Sequence, residues 1–354
     1  MSIMPKNKLI SQSIILMILL IFFFILKTIY DSGTFKTIRP HYEGNCNSVY
    51  NIVGPEDITI LDNGIAFISS DNRRKTLEGN PEQGNIYYYN LNEKNPRPIC
   101  LTIDMNFEFH PHGISLYKKD SNEIRLMAIN HRTHENTIEV FDFKEGELIF
   151  IKTIRSDLLN SPNDLVLINE NEFYLTNDHG WISNSAKMIE DYLQLSRANV
   201  IYYDGKQFKT LISELNYANG INISKDKVYI YIAETIAKKI SIYKCNSLNE
   251  LIYVKSIYLN TGVDNIELDE DGNLWVAAHP QMLSFVEHAK NINKKSASQV
   301  IKISNNEYGE YISEEMYLDD GNIISGSSTA AVYKNIMLIG SVFEDYFLHC
   351  KFEN

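Results

Sequence analysis

Basic charge is in short supply along this chain. Lys and Arg number 33 against 45 Asp and Glu, a net charge of −12. No segment forms the basic stripe that a polynucleotide backbone requires, so nucleic acid is excluded as a partner. Cysteine is scarce as well, four in 354 residues with no Cys-x-x-Cys pair, and zinc is not suggested. Charge is missing altogether from residues 9–26, LISQSIILMILLIFFFIL. An uncharged run of about 18 residues is just long enough to span about 30 Å of hydrocarbon. No small-x-small cleavage pattern follows it. Residues 1–30 therefore read as a retained signal anchor and residues 31–354 as the body. Lys6 and Lys8 ahead of the run place the body in the lumen or outside the cell, although Lys27 narrows the charge difference. Removal of the segment would instead release a secreted protein.

What is present is strand. The hydrophobic fraction, 44%, is ordinary, and Tyr is abundant at 22 residues, as in strand-rich chains. Residues 58–70, ITILDNGIAFISS, read as strand, Asp-Asn-Gly turn, strand. The same plan recurs over 113–130, 164–178, 220–234, 265–279 and 330–343, with further strands over 84–91, 136–143, 199–205 and 238–245. Two hairpins per unit make a four-stranded blade. Six units of roughly 45 to 65 residues predict an all-β, six-bladed β-propeller.

Acidic and amide residues open the first strands of these units. Glu56–Asp57 stands in GPEDITIL, Asn163–Asp164 in SPNDLVL, Asp264–Asn265 in VDNIEL, and Asn219 in YANGINIS. First strands of a closed ring converge on one axis. Carboxylates and amide carbonyls brought together there form the hard oxygen cage that Ca²⁺ prefers. Any one such residue, taken alone, is an ordinary turn residue.

Other segments carry less. Residues 185–198, SAKMIEDYLQLSRA, place Met188, Ile189, Tyr192 and Leu193 at helical spacing and predict a small inserted amphipathic helix, either a packed surface element or one facing a lid or membrane. The stretch HAKNINKKSAS, residues 288–298, reads as an exposed loop. His110, His134, His288 and His349 read as surface residues. Cys46 and Cys350 could staple the two ends of a ring in an oxidising compartment, and Cys100 and Cys245 read as buried thiols. The sequon at Asn222 falls inside a strand and is expected to stay unglycosylated.

Taken in order, ED with LDNGIAFISS, PHGISLY, AINH, PNDLVL, FYLTNDH, YANGINIS, IAETIAKKISIY, VDNIELDEDGNLWVAAHP and AAVYKNIMLIGSVF resemble the paraoxonase/arylesterase family, from about His41 to Cys350. The resemblance implies two calcium ions in the propeller tunnel, hydrolysis of lactones and aryl esters, and a retained hydrophobic N-terminus. It assigns Glu56, Asn163, Asn219, Asp264 and Asn265 to a catalytic ion. It assigns Asp57, Asp164 and the Ile114 carbonyl to a structural ion. His112 and His131 match its proton-transfer pair, Cys46 and Cys350 its disulfide, and Asp178, His179 and His279 positions near its pocket. The GNPEQGN stretch, residues 79–85, falls on its active-site flap. Ala278 departs from a cysteine common in relatives, and Tyr217 places a hydroxyl on an aromatic lining position. The expected partner is a small ester or lactone, and the membrane through the N-terminal helix. Two rivals stand: a non-enzymatic anchored accessory or chaperone for membrane proteins, and a sugar lactonase on the same fold.

Overall fold

The alternating hairpins assemble into six antiparallel sheets in the computed structural model, which describes residues 6–120 and 123–352. Each sheet is a propeller blade with its first strand innermost. Blade I comprises Pro55–Ile60, Ile65–Ser70, Asn85–Asn90 and Ile99–Cys100. Blade II comprises Pro111–Lys118, Glu123–His131, Asn136–Lys144 and Glu147–Ile154. Blade III comprises Pro162–Leu167, Phe173–Asn177, Ala198–Tyr203 and Phe208–Leu215, and blade IV Ala218–Ile223, Tyr229–Glu234, Lys239–Cys245 and Leu251–Tyr258. Blade V comprises Gly262–Leu268, Leu274–His279, Ser298–Asn305 and Tyr311–Asp319, edged by His41–Tyr42. Blade VI joins both ends of the body: Ser327–Tyr333, Ile336–Ser341 and Tyr346–Phe352, completed by Gly44–Tyr50. Within that closing pair Cys46 lies opposite Cys350, and the two form a disulfide. Cys100 and Cys245 are free and half-buried rather than buried.

The six first strands contact one another in a closed ring. Between neighbouring blades sit six separate apolar clusters. Ile58, Ile68 and Tyr89 of blade I meet Leu338 and Phe347 of blade VI; Met127 and Ile138 of blade II meet Leu165 and Phe173 of blade III. A propeller's core thus lies at its blade interfaces, so the ring is only as stable as its closure.

Every innermost strand carries the same irregularity. Two of its residues face one on the second strand: Glu56–Asp57 against Ser69, His112–Gly113 against Ile129, Asn163–Asp164 against Thr176, Asn219–Gly220 against Ala233, Asp264–Asn265 against Ala277, and Ser328–Thr329 against Gly340. A bulge of this kind frees two residues from the ladder and re-aims their side chains. Gly113 and Gly220 occupy two of these positions because the neighbouring strand is too close for more. A Cβ on Gly113 would lie 2.7 Å from the Asn163 carbonyl oxygen, and one on Gly220 2.7 Å from the Asn265 Cα.

Among the described residues, four helices decorate the ring. The first, α1 (Lys6–Asp31), is longer than the expected span; its Gln12–Asp31 portion has mean hydropathy 2.5 and is not buried by the body. The others are α2 (Arg73–Leu77), α3 (Asn184–Leu193) and α4 (Met282–Lys290), where one inserted helix was expected. All three join the second strand to the third, in blades I, III and V, and so lie on the face where the innermost strands begin. The end of α1 reaches the same face: Lys238 Nζ donates to the Asp31 carbonyl at 3.1 Å, and the Met282 amide to the Ser32 carbonyl at 2.8 Å. The third helix stops at Leu193, short of Ala198, because Gln194 turns left-handed (φ 54°). Only residues 291–295 of the 288–298 segment form the expected exposed loop. The first three residues of the segment finish α4, and Ser296, Ala297 and Ser298 are buried.

Candidate functional site

Side chains freed by the bulges meet at the axis, and hydrogen bonds fix which way each amide points. Asn163 Nδ2 donates to Asp178 Oδ2 at 3.3 Å. Asn265 Nδ2 donates to Glu56 Oε1 at 3.0 Å. Asn219 Nδ2 donates to Thr235 Oγ1 at 3.2 Å; that hydroxyl spends its own proton on the Val263 carbonyl (2.6 Å) and can only accept from Asn219. A carboxylate is likewise acceptor-only. With all three amide nitrogens committed, Asn163 Oδ1, Asn219 Oδ1 and Asn265 Oδ1 are buried without a hydrogen-bond partner, as is Glu56 Oε2. Four buried acceptor oxygens without a hydrogen bond, one from each of four innermost-strand bulges, are costly unless a cation meets them; of the four, Glu56 Oε2 has Arg73 Nη2 at 3.6 Å. Asp264 is beside them, its Oδ2 2.8 Å from His279 Nε2, and His279 stacks on Phe285 with centroids 3.9 Å apart. Among the described residues no three His, Cys, Asp or Glu side chains form a metal cluster. The amides complete this one.

Electrostatics favour the same occupant. Burial opposes ionisation of Glu56, but the charges of His112 and Arg73 outweigh it and bring its carboxyl down to about 2. Deeper in the tunnel, Asp57 Oδ2 accepts from the Ile114 amide (2.7 Å) and Asp164 Oδ2 from the Ile221 amide (2.8 Å), each on the next blade. Burial, then neighbouring carboxylates, push Asp57, Asp164 and Glu267 well above the carboxylate range. No basic side chain among the described residues pairs with any of them. Ile114, Asp164 and Glu267 line a cavity of about 190 Å³ at this end. A surface cavity of about 240 Å³, lined by Asp269, Trp275 and Lys302, shares none of the tunnel residues.

The histidine pair is wired in one direction. Asn136 Nδ2 donates to the Leu159 and Asn160 carbonyls, so its Oδ1, 2.8 Å from His131 Nδ1, must accept. His131 Nδ1 therefore carries a proton. Burial first, then the charge of His112, hold His131 down to about 3, so it is neutral and its Nε2 is a lone pair. That lone pair, 2.7 Å from His112 Nδ1, accepts from it. With Nδ1 committed to His131, the free ring nitrogen of His112 for proton exchange is Nε2, on the Glu56 side (3.5 Å from Oε1).

Asp178 and His179 are a brace. Burial works against the Asp178 charge, but the His179 hydrogen bond and charge, with Lys187 and Ser161, pull its carboxyl far below the usual range. Burial lowers His179, yet Asp178 (2.6 Å) and Asp191 of α3 (2.9 Å) raise it to about 9. Tyr217 packs edge-on against His179 and holds a left-handed backbone (φ 58°).

The match that decides the family spans the whole propeller: the arylesterase family model covers residues 38–352. The chain belongs to the arylesterase family. Human serum paraoxonase/arylesterase 1 is 38% identical over 327 residues, 89% of this chain and 91% of that protein. Rabbit serum paraoxonase/lactonase 3 is 33% identical over 320 residues, 88% and 90% of the two. Among solved structures, a luciferin-regenerating enzyme superposes with TM-score 0.54 at 11% identity (87% and 95% covered), and a calcium-binding regucalcin from Agrobacterium tumefaciens with 0.51 at 13% (88% and 96%). At such identity they show the fold alone.

Against this family frame, the residues expected from sequence fall together at the tunnel axis. Two surface expectations are corrected. His110 is buried with Nδ1 2.8 Å from Asp71 Oδ1, and His288 is buried against Arg74. Burial reflects their charged partners on other elements, which no local pattern displays. His134 is exposed and His349 half-buried. Asn222 is engaged at both ends, donating to the Ile266 carbonyl and accepting from the Ile223 amide. Sequence reasoning missed Thr235, Glu267 and the site role of Arg73. Only the Arg73–Arg74 pair ahead of the flap gave any signal.

Proposed function

We propose that this arylesterase-family chain is a calcium-dependent hydrolase of carboxylic esters and lactones. The four buried oxygens without a hydrogen bond, three of them on amides whose orientation is dictated from behind, carry that reading. Glu56, Asn163, Asn219, Asp264 and Asn265 would hold the catalytic ion, and Asp57, Asp164 and the Ile114 carbonyl a structural one. A bound calcium ion supplies a Lewis acid for the ester carbonyl and for the oxyanion that develops on it. His112 Nε2 accepts the proton of the attacking water. His131 and Asn136 keep His112 in the tautomer whose Nε2 is free. Amide rather than carboxylate ligands leave positive charge for the substrate. His279 holds Asp264, and Asp178 holds Asn163. The segment around α1 is read as a signal anchor, with the body lumenal or extracellular. The exposed Met188, Ile189, Tyr192 and Leu193 of α3 lie on the face α1 reaches, which supports a tunnel mouth turned to the membrane.

The test is hydrolysis of phenyl acetate and aliphatic lactones by the full chain in detergent, with calcium, with chelator, and in Asn163→Ala and His112→Gln variants. Activity that requires calcium and collapses in Asn163→Ala is expected. A folded, calcium-binding protein inert toward every ester and lactone would overturn the hydrolase reading in favour of an accessory role.

A further inference from the structure

Two arginines stand side by side at the start of α2, and only one is held by hydrogen bonds. Arg74 Nη1 donates to the Phe343 carbonyl at 2.7 Å, and Nη2 to the His288 carbonyl at 3.1 Å. Its guanidinium also lies 5.0 Å over the Phe343 ring. Arg74 therefore fastens α2 to α4 and blade VI. The Arg73 side chain makes no hydrogen bond among the described residues. Its Nη2 is buried without a hydrogen bond and is ion-paired at 3.6 Å with Glu56 Oε2, which also lacks a hydrogen bond. A buried N–H group left without a hydrogen bond is costly, and a fold tolerates it where a ligand completes it.

The surroundings say what that ligand is. Arg73 opens α2 on the face where the innermost strands begin and reaches Glu56 of the blade I bulge at 3.6 Å, which puts it at the tunnel mouth. If Glu56 and Asp264 are balanced by a divalent ion, the Arg73 charge is left uncompensated. Its planar fork matches a carboxylate in two parallel N–H···O bonds. Glu56 would then face the ion, freeing Arg73 for an incoming anion.

We propose that Arg73 is the carboxylate-binding residue of this site, receiving the free carboxylate of an ester or lactone that carries a second, anionic group. The inference rests on the hydrolase reading above. The acid released by hydrolysis offers the same chemistry, and the experiment separates the two sources.

The experiment uses the calcium-saturated full chain in detergent, as wild type, Arg73→Gln and Arg73→Lys. Its kinetic arm compares 4-acetoxybenzoate with its neutral isostere 4-acetoxybenzamide. Hydrogen bonds to a charged group are worth about 1.5–3 kcal/mol, so Arg73→Gln should lower the acid-over-amide ratio of kcat/KM about 10- to 100-fold, mostly through KM, with partial recovery in Arg73→Lys. Its binding arm follows glutarate and acetate calorimetrically, with no turnover required. At least tenfold weaker glutarate binding in Arg73→Gln, with acetate little changed, assigns the residue to the substrate's second carboxylate. Equal weakening of both assigns it to the released acid and keeps it a carboxylate-binding residue. An unchanged ratio together with unchanged glutarate and acetate binding overturns the proposal. A wild type that binds glutarate through Arg73 yet hydrolyses nothing sinks the hydrolase reading and leaves the binding role standing.

Discussion

Thr235→Val isolates the claim that amide orientation makes the metal site. The hydroxyl accepts from Asn219 Nδ2 and donates to the Val263 carbonyl, and valine keeps its shape while removing both bonds. A buried polar group left unmet costs about 1–3 kcal/mol, so the metal-free protein should lose stability on that scale. The second effect is the diagnostic one. Without its acceptor, Asn219 can turn its NH₂ toward the axis, where it repels a cation. Loss of a supporting partner of this kind typically weakens metal binding about 10- to 100-fold, or about 1.4–2.7 kcal/mol. Calcium titration by calorimetry measures it directly. Denaturation with and without calcium measures it again, because each tenfold loss of affinity removes about 1.4 kcal/mol of calcium-dependent stabilisation at saturation. Thr235→Ser, which restores the oxygen, should recover both. Unaltered calcium affinity in Thr235→Val, alongside the expected loss of metal-free stability, would refute the reasoning and reduce Thr235 to a packing hydroxyl.

Three further outcomes are expected. His131→Phe removes the acceptor for His112 Nδ1 and should lower kcat about 10²-fold or more while leaving calcium binding intact; a parallel fall in calcium affinity would place His131 with the ligands instead. Replacing Cys46 and Cys350 together by alanine opens a loop with a sequence separation of 304 and should cost up to about 5 kcal/mol in urea denaturation, with a loss below about 1 kcal/mol showing that the strand pairing alone closes the ring. His179 is raised from 6.5 to about 9, so its contribution is fully present below about pH 6.5 and is lost as the pH rises through about 9. Over that window His179→Gln should show a flatter stability profile than wild type, and an identical slope would contradict the ion pairs with Asp178 and Asp191.

Much of this molecule is decided locally. Period-two alternation with Asn, Asp and Gly at the turns marks the hairpins, because side chains on a strand must divide between core and solvent. A long uncharged run marks α1, because only helix satisfies its backbone in an apolar medium. The residues at the first-strand starts were legible as oxygen donors by type and placement. How their side chains are aimed was not. Strict alternation would send Glu56 and Asp57 to opposite faces of a sheet; the two-against-one bulge, repeated in all six blades, is what frees both from the ladder. Whether the oxygen or the nitrogen of each amide faces the axis depends on Asp178, Glu56 and Thr235, and the tautomer of His112 on Asn136, none of which shares a local pattern with the residue it controls. His110 and His288 looked like surface residues because their partners, Asp71 and Arg74, come from other elements. Residue type and period are properties of neighbours along the chain. Orientation, burial and the Arg73–Glu56 ion pair are properties of neighbours in space, and only closure of the ring brings those together.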